Sequence, residues 1–391
     1  MSGPWLQDPD LEIWHGDALD VLRGLPDASV HMCATSPPFY GLRDYGVDGQ
    51  IGLEETPDEW VARLVDVFRE VRRVLRDDGT LWVEIGDSYN AGTGAGRQGQ
   101  NGEMATRSVA GSRLGGNWKN PTGGLRVKAD VKVKDLLGQP WMLAFALRAD
   151  GWYLRSEIIW SRPNPMPESV TDRPTKAHST VFLLSKIPRY FFDADAKGTQ
   201  KARLETQSGG DGTYDMEIRH AGANARSVWT IPTQPTPFAH FATFPEELVR
   251  RMILAGTSEK GCCPECGAPW VRDIEVKGLP RDRGENGAAT VRPDVDPGNA
   301  SHGRNDISGA KLIAWREANP PSFKGWLPSC PHDHPAVPCT VLDPFGGSGT
   351  TALVARKHGR HSVLVELNET YCALAASRLS QLSLLTGKET G

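Results

Sequence analysis

"TVLDPFGGSGTTALVARKHGRHSVLVELN", residues 340–368, runs from a short apolar strand through a glycine turn and a helix to a second apolar strand. That order is the core of a nucleotide-binding α/β unit. Within it Gly347-Ser348-Gly349-Thr350-Thr351-Ala352 fits G-x-G-x-x-G/A, and Glu366 closes the second strand nineteen positions after Gly347. Glycines let the backbone approach a nucleoside closely, and a carboxylate at that distance can accept both ribose hydroxyls.

Three ligands compete for such a turn. A phosphate-cradling loop needs Gly-Lys-Ser/Thr, and Thr350 stands where the lysine would be. A nicotinamide dinucleotide satisfies the spacing, yet Asp343-Pro344-Phe345 puts a carboxylate and a ring at the strand end, where a pyrophosphate would be repelled. A sulfonium amino acid suits the acid, and its adenine suits the ring. The stretch therefore points to S-adenosylmethionine.

Outward from this unit, short apolar strands alternate with helical patterns, the mark of a mostly parallel sheet covered on both faces. Residues 29–36, 81–87, 154–160, 179–185, 339–343 and 361–366 read as strands, and 57–75, 248–256 and 369–382 as helices. The 391 residues allow one large α/β domain with insertions or two domains, and 39% hydrophobic with 24% charged residues is the balance of a globular chain. No apolar run approaches the roughly 20 residues of a membrane span. The start, "MSGPWLQDPDLEIWHGD", lacks a basic then apolar leader, so the expectation is a cytoplasmic protein with no membrane partner.

Two insertions interrupt the pattern. Residues 91–130 are glycine-rich and basic, with Arg97, Arg107, Arg113, Lys119, Arg126 and Lys128 against Glu103 and Asp130. Such a segment cannot build a core; it reads either as a surface loop or as an element that folds around phosphates, with Trp118 available to stack. Residues 277–305 form a second polar stretch. Of seven cysteines, five fall between Cys262 and Cys339. Cys263-x-x-Cys266 and Cys330-x-His332 have the spacing of a tetrahedral structural zinc site, with Cys262, His334 and Cys339 as alternates and reduced, unliganded thiols as the rival reading.

A second motif lies early in the chain: Ser36-Pro37-Pro38-Phe39, at the end of an apolar run. Alone it reads as a strand ending in a stiff turn. Together with Asp343-Pro344-Phe345-Gly346-Gly347-Ser348-Gly349-Thr350-Thr351 downstream, it resembles the beta class of amino-directed DNA methyltransferases, in which a [Asn/Asp/Ser]-Pro-Pro-[Tyr/Phe/Trp] tetrad precedes such a cofactor motif. Residues 15–22, 81–89, 158–186 and 240–249 also resemble stretches of that family, while Ser179 stands where members often carry glutamate.

The resemblance implies a Rossmann-like S-adenosylmethionine-dependent methyltransferase fold with inserted DNA-recognition and zinc-binding segments. Its divisions would be a catalytic half at 1–90, a basic insertion at 91–134, the rest of the catalytic half at 135–258 with a target-recognition segment at 194–236, a zinc-binding insertion at 259–338 and a cofactor half at 339–391. It carries catalysis onto Ser36, Pro37, Pro38 and Phe39, with Tyr40 as a second ring. It carries cofactor binding onto Asp17, Thr35, Phe241, Thr243, Asp343, Phe345, Gly347, Ser348, Gly349, Thr350, Glu366 and Asn368.

The substrate it implies is double-stranded DNA with one base extruded, and the serine at the first tetrad position favours N4 of cytosine over N6 of adenine. It allows a homodimer and a cognate restriction endonuclease as partners, in a bacterial or phage-encoded system. The rivals are a DNA-binding protein anchored by zinc that has lost catalysis, and a methyltransferase of RNA or protein; the intact pair of motifs weighs against the first.

Overall fold

A computed structural model describes residues 3–42, 44–90, 131–194, 196, 225–234, 244–275, 277, 315 and 318–386. The basic segment 91–130, most of the 194–236 segment, residues 278–314, Phe241 and Thr243 lie outside the described residues.

The elements in chain order are β1 (Leu6–Asp8), β2 (Leu11–His15), α1 (Ala18–Gly24), β3 (Val30–Thr35), α2 (Pro57–Val74), β4 (Leu75–Ile85), α3 (Gln139–Ala149), β5 (Tyr153–Ser161), β6 (His178–Ser185), β7 (Val228–Thr230), α4 (Glu246–Gly256), β8 (Trp270–Glu275), β9 (Ser322–Pro328), β10 (Thr340–Asp343), α5 (Thr350–Lys357), β11 (His361–Glu366) and α6 (Glu369–Thr386). Local chemistry explains the best-formed of them. Thr56 caps α2 in a reciprocal capping box with Glu59, Pro57 occupies the first turn, and Trp60, Leu64, Phe68 and Val71 bury one face. Strands β10 and β11 are apolar on both sides because helices cover both.

Nine strands form one sheet in the order β1-β2-β11-β10-β3-β4-β6-β5-β7. From β2 to β4 all neighbours are parallel; β6 runs antiparallel between β4 and β5. Helices α1, α2 and α3 bury one face around Trp60, Phe68 and Leu342, and α4 and α5 bury the other around Met252, Ile253 and Val341. The mostly parallel, doubly wound α/β fold read from the sequence is the one found. Strand β4 starts at Leu75, earlier than its apolar run at 81, because it continues directly from α2; a register shift between Val30 and Met32 absorbs the irregularity.

Chain order and sheet order disagree at the centre. Strand β10, near the end of the chain, lies between β11 and β3. Its crossover through α5 returns to β11 on one side, whereas the α2 crossover from β3 leads to β4 on the other. The strand order reverses there, and ligands of open α/β sheets bind in the crevice this leaves at the carboxyl ends.

The junction is held by Asp343, which is 2% exposed. Its Oδ1 accepts from Thr35 Oγ1 at 2.7 Å and from the Phe345 amide at 3.1 Å, and its Oδ2 accepts from Thr351 Oγ1 at 2.7 Å. One carboxylate thus ties β10, β3 and α5. Thr351→Val keeps the shape but removes a donor from a buried anion, so it should lower unfolding stability by about 1–3 kcal/mol; urea titration followed by circular dichroism checks this, and an unchanged midpoint would refute the clamp.

Candidate active site and metal cluster

A cleft opens at the reversal point, across the carboxyl ends of β2, β11, β10 and β3. Asp17, Ser36, Pro37, Pro38, Phe39, Asp343, Phe345, Gly347, Ser348, Thr350, Glu366 and Asn368 all line it. Thr35 and Gly349 do not: Thr35 is buried beneath, bonded to Asp343, and Gly349 is the left-handed residue that starts α5 (φ 77°). Phe244, Tyr45 and Tyr371 line it as well, and the sequence did not single them out. Tyr45 and Tyr371 meet edge to face at 6.4 Å.

Each acid in the cleft is held by its neighbours. Asp17 caps α1, accepting from the Leu19 and Asp20 amides. Glu366 accepts from the Gly347 amide and the Asn368 amide, both at 2.8 Å, and burial pushes its carboxyl above the usual range. Carboxylate oxygens carry two lone-pair sites each, so Glu366 retains acceptor capacity towards the cleft. The loop between β10 and α5 must pass close to β11: a Cβ on Gly346 would lie 2.2 Å from Leu364. None of the described lining residues is Lys or Arg. Three carboxylates without a cation repel a pyrophosphate and attract a sulfonium, so the donor set and the glycine cradle fit S-adenosylmethionine.

The tetrad forms the wall at the end of β3. The Ser36 hydroxyl donates to Glu84 Oε2 at 2.8 Å, and the Ser179 hydroxyl donates to the same carboxylate. Glu84 is 5% exposed, and burial raises its pKa against these hydrogen bonds and the nearby Arg162 charge. The Pro38 carbonyl accepts from Trp60 Nε1 at 2.9 Å, and Gln139 both accepts from and donates to the Tyr40 backbone. Among the described residues none donates to the Pro37 carbonyl. The Phe39 ring lies over Gly86, where a Cβ would come within 2.9 Å of it. Tyr40 is not a second ring in the cleft: it is buried and its hydroxyl donates to the Glu55 carbonyl. Glu84 was not singled out from the sequence, although an acid inside the apolar run "LWVEI" is itself a signal of a buried, partnered carboxylate.

A second cleft continues along the same edge of the sheet, on the far side of Phe39. Gly86 and Asp87 after β4, Arg162 after β5, and Lys176, His178 and Ser179 leading into β6 line it. Lys176 Nζ lies 3.7 Å from Asp87 Oδ2, and burial lowers its pKa.

Cys263, Cys266, Cys330 and His332 converge, their ligand atoms within 4.8 Å of one another. His332 Nδ1 is 3.3 Å from Cys266 Sγ and 3.6 Å from Cys263 Sγ, the separations of a tetrahedral set, while Nε2 faces Glu265 at 3.2 Å. The Cys266 amide, with other local donors, lowers the Cys263 thiol to about 6. The alternates fall away from this set. His334 is bonded to Glu265, and Cys262 faces Cys339 beside His31. His31 has both ring nitrogens engaged, with the Thr340 amide and the Gly267 carbonyl. The cluster packs at the amino ends of β3, β4 and β10, the end opposite the cleft, where Arg76 and His31 bond to the Cys266 and Gly267 carbonyls.

A doubly wound sheet with an acidic, glycine-lined cleft at its reversal point and a rigid aromatic turn beside it defines a group-transfer enzyme with a nucleoside cofactor. The DNA methylase family N6_N4_Mtase matches residues 30–263 and 339–377, and the chain belongs to it. It is 38% identical over 371 residues to the type II methyltransferase M.Cfr9I of Citrobacter freundii, covering 94% of this chain and 87% of that protein. To M.SmaI of Serratia marcescens it is 36% identical over 364 residues, 93% of this chain and 89% of the relative. The fold matches the PvuII DNA methyltransferase (cytosine-N4-specific) with a TM-score of 0.53 at 16% identity, over 96% of this chain and 89% of that one. The protein is a site-specific DNA methyltransferase directed at exocyclic amino groups, with S-adenosylmethionine as its methyl donor. Among the described residues no helix is long and apolar enough to cross a membrane.

Gly346→Ala forces the cofactor loop off Leu364. Overpacking of this kind costs about 1–3 kcal/mol, and we expect calorimetric titration to show weaker cofactor binding in a folded protein.

Proposed function

We propose that the protein methylates N4 of a cytosine extruded from duplex DNA, within one short recognition sequence. The observation that carries this is the Ser36–Glu84 hydrogen bond at the mouth of an acidic cleft with no cation among its described lining residues. With its proton committed to Glu84, Ser36 Oγ turns lone pairs towards the cleft; the Pro37 carbonyl, fixed by the proline φ, is a second acceptor beside it. These two take the amino hydrogens of the target, draw its nitrogen towards tetrahedral geometry and aim its lone pair across the reversal point. S-adenosylmethionine, when bound, would supply a methyl group on a sulfonium centre; Glu366, Phe345 and the Gly347 loop are the residues that would hold its ribose and adenine. Phe39 stacks on the extruded base. The aminium proton left after transfer passes through Ser36 Oγ to Glu84, whose proton affinity burial has raised. A serine, in place of aspartate, at the first tetrad position supports cytosine over adenine, and the cytosine-N4 specificity named for the PvuII enzyme agrees with it.

Thr35, Ser348, Thr350, Asn368 and Asp17 shape the cofactor side of this arrangement, with Asp343 acting as the clamp beneath it. The four ligands Cys263, Cys266, Cys330 and His332 hold a structural zinc that staples the 259–338 segment to the amino edge of the sheet. The naming of the relatives as type II methyltransferases supports a cognate restriction endonuclease and a site of action in the bacterial cytoplasm.

Modification-sensitive sequencing of DNA from cells expressing the protein should reveal N4-methylcytosine in one short context; N6-methyladenine alone would overturn the base assignment. Ser36→Ala should slow single-turnover methylation by about 10²–10³-fold while leaving cofactor affinity intact, and Glu366→Ala should weaken cofactor binding by about 1.5–3 kcal/mol. Because the competent form of Glu84 is the carboxylate and its pKa is raised, the rate should fall as pH drops through a value above the ordinary carboxylate range. Glu84→Gln should remove that acid limb.

Elemental analysis should find about one zinc per chain. Chelation should lower the melting temperature; full stability after complete chelation would eliminate the metal.

A further inference from the structure

The second cleft contains charges that the transfer chemistry leaves unused. It meets the cofactor cleft at Phe39 and Leu42, which line both. Glu84 joins the two: it accepts from Ser36 on the cofactor side and from Ser179, which lines the second cleft together with Arg162 and Lys176. The guanidinium of Arg162 donates from one terminal nitrogen to the His178 carbonyl, while its Nε is buried with no hydrogen-bond partner. The Lys176 side chain is only 18% exposed, and its carboxylate neighbour, Asp87, stands at 3.7 Å, beyond a good hydrogen bond. The ion-pair partner of Lys176 there is Asp87 Oδ2, while the other oxygen, Oδ1, accepts from the Ser88, Gly138 and Gln139 amides. Two partly buried cations therefore line a cleft that adjoins, across Phe39, the acceptors that would hold an amino group.

Acceptors on one side of Phe39 and two cationic donors on the other complement one base edge. Cytosine presents its amino group, then N3 and O2 as two acceptors, whereas adenine presents its amino group, N1 as a single acceptor and then a C–H. We propose that Arg162 and Lys176 read N3 and O2 of the extruded base, so that this cation pair selects cytosine over adenine. This rests on the N4-cytosine reading above. Adenine in the same position leaves the outer cation desolvated and unpaired, which is the arrangement by which hydrogen-bonding sites reject a substrate lacking the group.

The test uses the full-length protein and duplexes that carry the sequenced recognition site. Cytosine or adenine occupies the target position, each placed opposite a mismatch so that extrusion is equally easy. The wild type should methylate cytosine at least tenfold faster. Lys176→Met should slow cytosine methylation by about tenfold or more and leave the adenine rate unchanged, so the preference collapses; Lys176→Gln, which keeps an N–H donor, should retain part of it. Circular dichroism and cofactor titration confirm that both variants fold. A preference for adenine in the wild type overturns the N4 reading and this proposal together. A wild type that prefers cytosine while Lys176→Met slows both bases alike, with a reduced salt dependence, marks Lys176 as a phosphate contact and overturns this proposal alone. An unchanged cytosine-to-adenine ratio in Lys176→Met does the same.

Discussion

A buried carboxylate is tolerated in a protein interior only when donors surround it, and Asp343 has three, from Thr35, Thr351 and the Phe345 amide. Thr35 lies 308 residues away in the chain. The requirement to satisfy one anion therefore fixes β10 beside β3 and holds the start of α5 over both. The tetrad at the end of β3 and the glycine loop at the end of β10 cannot then be more than one strand apart.

The charge along the carboxyl edge of the sheet is divided. From β2 to β3 the cleft holds Asp17, Asp343 and Glu366 with no cation among its described lining residues; from β4 to β6 the neighbouring cleft holds Arg162 and Lys176. Phe39, seated over Gly86, is the partition. The acidic and the cationic stretches of one sheet edge thus meet at a single ring. Glu84 lies at that partition, bonded to Ser36 on one side and to Ser179 on the other.

At the other edge the Cys/His cluster gathers segments that lack a core of their own. Among the described residues β8 and β9 pair only with each other, and Phe323 and Trp326 of β9 pack against Arg272 of β8. Hydrogen bonds from Arg76 and His31 join the cluster to β4 and β3. Its distance from the cleft separates the stability of this segment from the chemistry.

The strands and helices around the glycine loop, the reading of the loop as a nucleoside cradle and the link between the two end motifs were all legible in the sequence. They depend on local periodicity, on residues that only a tight turn requires and on fixed motif spacing. The Cys-x-x-Cys and Cys-x-His pairs were legible for the same reason. The elements β1, β2, α1, α3, β7, β8 and β9 were not; most are short stretches of mixed polarity, which form strands and helices only when a neighbour supplies the missing hydrogen bonds or apolar contacts. The roles of Asp343, Glu84 and Tyr40 were beyond the sequence too. A carboxylate next to a glycine loop looks alike whether it faces a ligand or a pair of threonines, and a tyrosine beside Phe39 looks alike whether it faces a base or the core. The sequence by itself determined the elements around the glycine loop and the chemistry they carry; the tertiary structure decided which carboxylate sits between two threonines, which one accepts from Ser36 and where the cations stand, because those depend on partners from distant parts of the chain.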